Sequence, residues 1–75
     1  MPKVPRLTGE EAIEAFGKAG YRLDRVRGSH HILRHPEKIE LLSIPVHAGR
    51  TVGIALLRKQ IKIAGLTIEE FIGYL

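Results

Sequence analysis

The chain contains no cysteine and no tryptophan. Without cysteine there can be no disulfide staples and no thiolate metal centre, and the chain suits a reducing compartment. Aromatic residues are scarce, two Tyr and two Phe, so a core must be assembled mainly from Ile, Leu, Val and Ala. No apolar run approaches the roughly 20 residues that a membrane span needs. The opening MPKVPRL lacks the apolar stretch of a signal peptide. Together these absences predict a soluble cytoplasmic domain with no membrane role. Acid is also missing from a long stretch: Leu41 to Ile68 holds no Asp or Glu, while Arg50, Arg58, Lys59 and Lys62 lie within it.

What is present fits one domain over residues 1–75. A length of 75 residues is near the lower limit for independent folding, and 44% apolar with 27% charged residues is ordinary globular composition. The net charge is +4, which suits a polyanionic partner. Arg22, Arg25, Arg27 and Arg34 add a second basic cluster in which Asp24 is the one acid. Charge alone fits RNA, DNA or an acidic protein surface equally well.

Two periodicities organise the chain. Residues 1–7, with Pro2 and Pro5, read as a flexible arm. Thr8 and Glu11 have capping-box spacing, and from Gly9 to Ala19 the apolar positions Ala12, Ile13, Phe16 and Ala19 share one helical face. Gly20 is placed to stop that helix. The period then shortens to two. Tyr21–Val26 is a strand with Tyr21 and Leu23 on one side and Arg22 and Asp24 on the other. Gly28-Ser29 turns the chain into a second strand, His30–His35, so that Val26 and His31 flank a hairpin. Pro36-Glu37-Lys38 turns it again into a third strand, Ile39–Ile44, stopped by Pro45. A second helix is expected from Thr51 or Val52 to Ala64. Its apolar stripe is Ile54, Leu57, Ile61 and Ala64, widened by Leu56 and Ile63, and Arg58, Lys59 and Lys62 form its basic arc. Gly65 ends it, and Thr67 with Glu70 opens a last short helix. The predicted fold is α+β: α-β-β-β-α, a three-stranded antiparallel sheet with two helices on one face and a short C-terminal helix. This order is similar to that of double-stranded-RNA-binding domains.

Histidine carries most of the chemical interest. It moves protons near neutral pH, and three of the four fall in Gly28–Pro36, with His47 following. On a strand His30, Ile32 and Arg34 share one face, and His31, Leu33 and His35 the other. A proton carrier and a phosphate ligand thus share a side, although exposed histidines on a basic strand would look the same. His31 and His35 are about 13 Å apart if extended, whereas zinc pairing at that spacing needs a helix. No metal site and no cofactor are expected. Ser29 lies in no nucleophile elbow, and the glycines form no phosphate loop.

Several short motifs then occur in order. Gly28-Ser29-His30 leads into an apolar strand and His35-Pro36. Ile44-Pro45-Val46-His47-Ala48-Gly49-Arg50 precedes the second helix. Leu57-Arg58-Lys59-Gln60-Ile61 and Ala64-Gly65-Leu66-Thr67-Ile68-Glu69-Glu70-Phe71 close the chain. From about Thr8 onward this series resembles the HicA-like (YcfA-like) toxin family of type II toxin–antitoxin systems. The resemblance implies a metal-independent endoribonuclease that cleaves mRNA on a dsRNA-binding-like fold, as a monomer neutralised by a HicB-like antitoxin. It matches His30 to the family histidine, with His31 as the alternative because two histidines adjoin here. His47 and Arg34, or in place of Arg34 a basic residue across the sheet, would assist, and Arg58, Lys59, Lys62, Arg27 and Arg50 would bind RNA. A non-catalytic RNA-binding module of the same fold is the alternative function, and a subunit docking an acidic protein is a third.

Overall fold

Helix formation begins with reciprocal capping. In the computed structural model, which describes residues 3–75, the Thr8 amide donates to Glu11 Oε1 (2.9 Å) and the Glu11 amide to Thr8 Oγ1 (3.2 Å). Both bonds satisfy amides that the first helical turn leaves without partners. Helix α1 (Gly9–Lys18) buries Ala12, Ala15 and Phe16. It closes in a Schellman turn, with the Tyr21 amide on the Phe16 carbonyl and the Gly20 amide on the Gly17 carbonyl. That turn needs the left-handed backbone that Gly20 adopts (φ 103°), and it seats the Tyr21 ring edge-on to Phe16 at 6.0 Å.

Strands β1 (Arg22–Arg27), β2 (His30–Arg34) and β3 (Leu42–Pro45) form an antiparallel sheet in sequence order. Leu33, Leu42 and Ile44 point to one face, where they are buried with Phe16, Leu57, Ile61 and Phe71 in one core. Helix α2 (Ile54–Ile63) and α1 both pack on β3, and α3 (Ile68–Ile72) packs on α2. Phe71 of α3 meets Phe16 with ring centroids 4.8 Å apart. Helix α3 has its own capping box, Thr67 with Glu70. The α-β-β-β-α order and the shared burial of Phe16, Leu57 and Ile61 are as expected from sequence.

Four expectations need correction. Val4 and Leu7 are buried, and the Leu7 carbonyl accepts from the Val52 amide at 2.7 Å, so the segment from Val4 is packed rather than a trailing arm; Pro2 lies outside the described residues. Strand β3 starts at Leu42, not Ile39, whose side chain is 95% exposed. The preceding loop is instead tied to α2 by the Lys38 ammonium, which donates to the Ala64 carbonyl. Pro45 does not end the strand but is its last paired residue, opposite His30. Helix α2 starts at Ile54, because Thr51 is spent in a bridge to Thr8.

The start of α1 lies tight against the end of β3. A Cβ on Gly9 would sit 2.5 Å from the Pro45 carbonyl oxygen and 2.8 Å from the Val46 side chain, whereas one on Gly17 would meet nothing within 4 Å. Gly9→Ala should therefore destabilise by about 1–3 kcal/mol through overpacking. Gly17→Ala, in the same helix, should stabilise by roughly 0.5–1 kcal/mol. Urea unfolding of the two variants checks the pair, and equal effects would contradict the packing described.

Candidate nucleic-acid interface and histidine site

The two-residue turn Gly28-Ser29 has a positive φ only at its first position (Gly28, 61°), as a type II′ hairpin turn requires. It makes Arg27 and His30 direct cross-strand partners, so both side chains leave the sheet on the same face. That face is the one without helices. The register breaks between Leu23 and Arg25, and a bulge at Asp24 reverses the alternation that simple reading assigns to β1. Before the bulge Arg22 faces Arg34; beyond it, Arg25 faces Ile32 and Arg27 faces His30. Without the extra residue the strand could not place Arg22, Arg25 and Arg27 together on the open face.

His30 is exposed in a shallow depression lined by Arg27, Ile32 and Ser43. Its Nδ1 lies 3.2 Å from Ser43 Oγ. Ser43 is itself fixed from the other side, since its amide donates to Oε1 of Gln60 on α2 at 2.9 Å. Gln60 is buried. Neither residue is singled out by sequence reasoning. The signals were present: Ser43 is the polar residue between Leu42 and Ile44, and Gln60 interrupts the apolar stripe between Leu57 and Ala64.

The other histidines are placed differently. His31 turns to the helix-covered side opposite Val26 and Ile44. Its Nδ1 is buried with no hydrogen-bond partner among the described residues. His35 packs edge-on to Tyr21 (5.1 Å), and its Nδ1 accepts from the Glu37 amide at 3.1 Å. Burial, reinforced by the Glu40 carboxylate, pushes the Tyr21 hydroxyl above its usual pKa. His47 is exposed just past Pro45. The Val46 amide donates to the Ser29 carbonyl (2.7 Å), which holds the start of that loop at the His30 end of the sheet.

The expected cations separate into two sets. Arg27 stands beside His30. Arg34 is four residues along β2 from His30, about 13 Å on an extended strand, and its Nε lies 3.6 Å from Asp24 Oδ1. Asp24 also binds Arg25 at 2.6 Å. Arg58, Lys59 and Lys62 are exposed on α2, outside the depression. Arg50 is exposed in the loop before α2. Among the described residues, no group of three or more His, Asp or Glu side chains comes together as a metal site, and no helix is long and apolar enough to cross a membrane.

A family model described as the HicA toxin of bacterial toxin-antitoxin systems matches residues 9–66, most of the chain. The chain belongs to the HicA toxin family. The match spans α1, the whole sheet and α2, and so includes every residue of the His30 depression. A HicA chain is the toxin of a toxin–antitoxin pair, which implies an antitoxin partner. No curated protein matches the chain.

In this HicA chain the Gln60–Ser43 bond joins the His30 depression to the core. Gln60→Ala should leave the Ser43 amide without its partner, lowering stability by about 1–3 kcal/mol. Ser43 should then lose its amide hydrogen-exchange protection more than Leu42 or Ile44 does. Unchanged protection at Ser43 would show that the bond is not persistent in solution.

Proposed function

We propose that this HicA toxin is a metal-independent endoribonuclease that cleaves mRNA using His30 as its proton-transfer group, and that a HicB-like antitoxin neutralises it by covering the open sheet face. The observation that carries the reading is the pairing of an exposed histidine with Arg27 on a sheet face kept free of helices. RNA supplies its own nucleophile, the 2′-hydroxyl. The 2′-oxygen attacks phosphorus as the bond to the 5′-oxygen breaks, giving a 2′,3′-cyclic phosphate and a free 5′-hydroxyl. His30 accepts the 2′-proton, and its protonated form can return a proton to the leaving 5′-oxygen. Positioned proton transfer of this kind typically contributes about 10²–10⁴-fold. Arg27, the neighbouring cation, offsets the charge that builds on the phosphorane oxygens. This assigns to Arg27, a basic residue across the sheet from His30, the part that sequence reasoning left to Arg34 or to such a residue; Asp24 engages Arg34.

His31 is the weaker candidate because one of its ring nitrogens is buried toward the helices. His47 remains an auxiliary proton carrier at the same end of the sheet. Arg58, Lys59, Lys62 and Arg50 would hold phosphates away from the cut without reading sequence.

His30→Ala should lower the cleavage rate at least about 100-fold and relieve growth arrest, with the fold and the antitoxin complex retained. His31→Ala should keep cutting, and excess EDTA should leave the unmutated toxin active. Cleavage by the His30 variant, with loss in the His31 variant, would move the active group to the covered face. Binding without cleavage by the unmutated chain would make it an RNA-binding module instead.

Charge removal on α2 tests phosphate binding separately. The Arg58→Ala, Lys59→Ala, Lys62→Ala triple variant should bind RNAs of different sequence uniformly more weakly. Its salt slope should flatten by about 0.7 for each phosphate of a single strand that is no longer neutralised. Affinity and slope equal to those of the parent chain would put the RNA elsewhere.

A further inference from the structure

We propose that Ser43 is a positioning residue for His30: its Oγ accepts a hydrogen bond from the Nδ1–H of the ring and so keeps the free lone pair on Nε2. The inference rests on the reading of His30 as the proton-transfer group. Ser43 pairs with Ile32 across β2 and β3, which makes it the diagonal neighbour of His30 on the open face. The 3.2 Å separation is within hydrogen-bond range. The strand under Ser43 is held on two sides. Leu42 and Ile44 are wholly buried, and Gln60 binds the Ser43 amide. The hydroxyl is thus carried on the most firmly packed strand of the sheet, at a distance from the core of one side chain.

The direction of the bond follows from the proton cycle. A neutral imidazole donates at one nitrogen and accepts at the other, whereas the charged ring donates at both. If the Ser43 hydroxyl donated to Nδ1, that bond would break each time the ring gained a proton. If Nδ1–H donates to Ser43 Oγ, one bond serves both protonation states, and protons arrive and leave only at Nε2. The Ser43 O–H remains free to donate to water. His35 has the opposite arrangement, because the Glu37 amide donates to its Nδ1. When neutral it must carry its proton on Nε2. The two histidines of one strand segment are thus held in opposite tautomers by their Nδ1 partners.

Nitrogen-15 spectra of the imidazole rings, recorded on the full chain at a pH where they are neutral, test this directly. The His30 signals should show a protonated Nδ1 and a free Nε2, with His35 as the reversed internal reference. Ser43→Ala should shift His30 toward the Nε2–H form that an unrestrained histidine prefers, and Ser43→Thr should restore the parent spectrum. In cleavage assays kcat of Ser43→Ala should fall about tenfold, as loss of one hydrogen bond to a charged ring implies. Its KM should stay within about twofold, and Ser43→Thr should recover kcat. A parent His30 spectrum with Nε2 protonated, or identical in Ser43→Ala, overturns the proposal. So does a tautomer shift with kcat unchanged. Full activity in His30→Ala would instead remove the reading of His30 as the proton-transfer group, on which the proposal rests, and it is seen without altering Ser43.

Discussion

Leu42 and Ile44 of β3 carry the architecture. Both are completely buried, and the strand between and around them is where α1 and α2 meet the sheet. A sheet of three short strands is not stable unless one face is covered. Here the cover is centred on one edge strand, so β1 projects beyond it with Leu23 and Val26 about half exposed. Because side chains alternate along a strand, fixing Leu42 and Ile44 inward fixes Ser43 outward, and the register then places it beside His30. The packing that holds the fold together and the placement of the histidine site are consequences of one constraint.

Most of the fold was legible because its signals are local. The capping residues Thr8, Glu11, Thr67 and Glu70, the helix stops Gly20 and Gly65, and the turn at Gly28-Ser29 each act within a few residues of themselves. The misplaced boundaries share a cause. Thr51 pairs with Thr8, the Val52 amide bonds to Leu7, and Lys38 reaches Ala64; each is a partner far away in sequence that overrides the local pattern. The packed segment from Val4 to Leu7 escaped for the same reason, since two prolines suggest a loose arm while the burial of Val4 and Leu7 depends on the rest of the molecule.

The candidate site was legible in part. His30 could be placed on the face opposite Leu33 by alternation alone, and the turn length brings Arg27 to it. The bulge at Asp24 could not be read, because it is the offset between two strands and not a property of either. Ser43 and Gln60 were missed because each matters through the group it touches. Serine in a strand and glutamine in a helix look ordinary until the register is known.

Between Leu42 and Val46 the outer edge of β3 offers no free amide donor for another strand to pair with. Along this strand the inward amides belong to Leu42, Ile44 and Val46, and of the two that point away, the Ser43 amide is already taken by Gln60 and Pro45 has none. Proline and an occupied donor are among the means by which sheets resist edge-to-edge aggregation. The opposite edge, β1, is bent by its bulge and crowded with Arg22, Arg25 and Arg27, which repel a second copy of the same strand. Sheets of neighbouring molecules therefore have no easy way to join into a continuous ribbon, and a chain this small can leave a whole sheet face bare without polymerising through it.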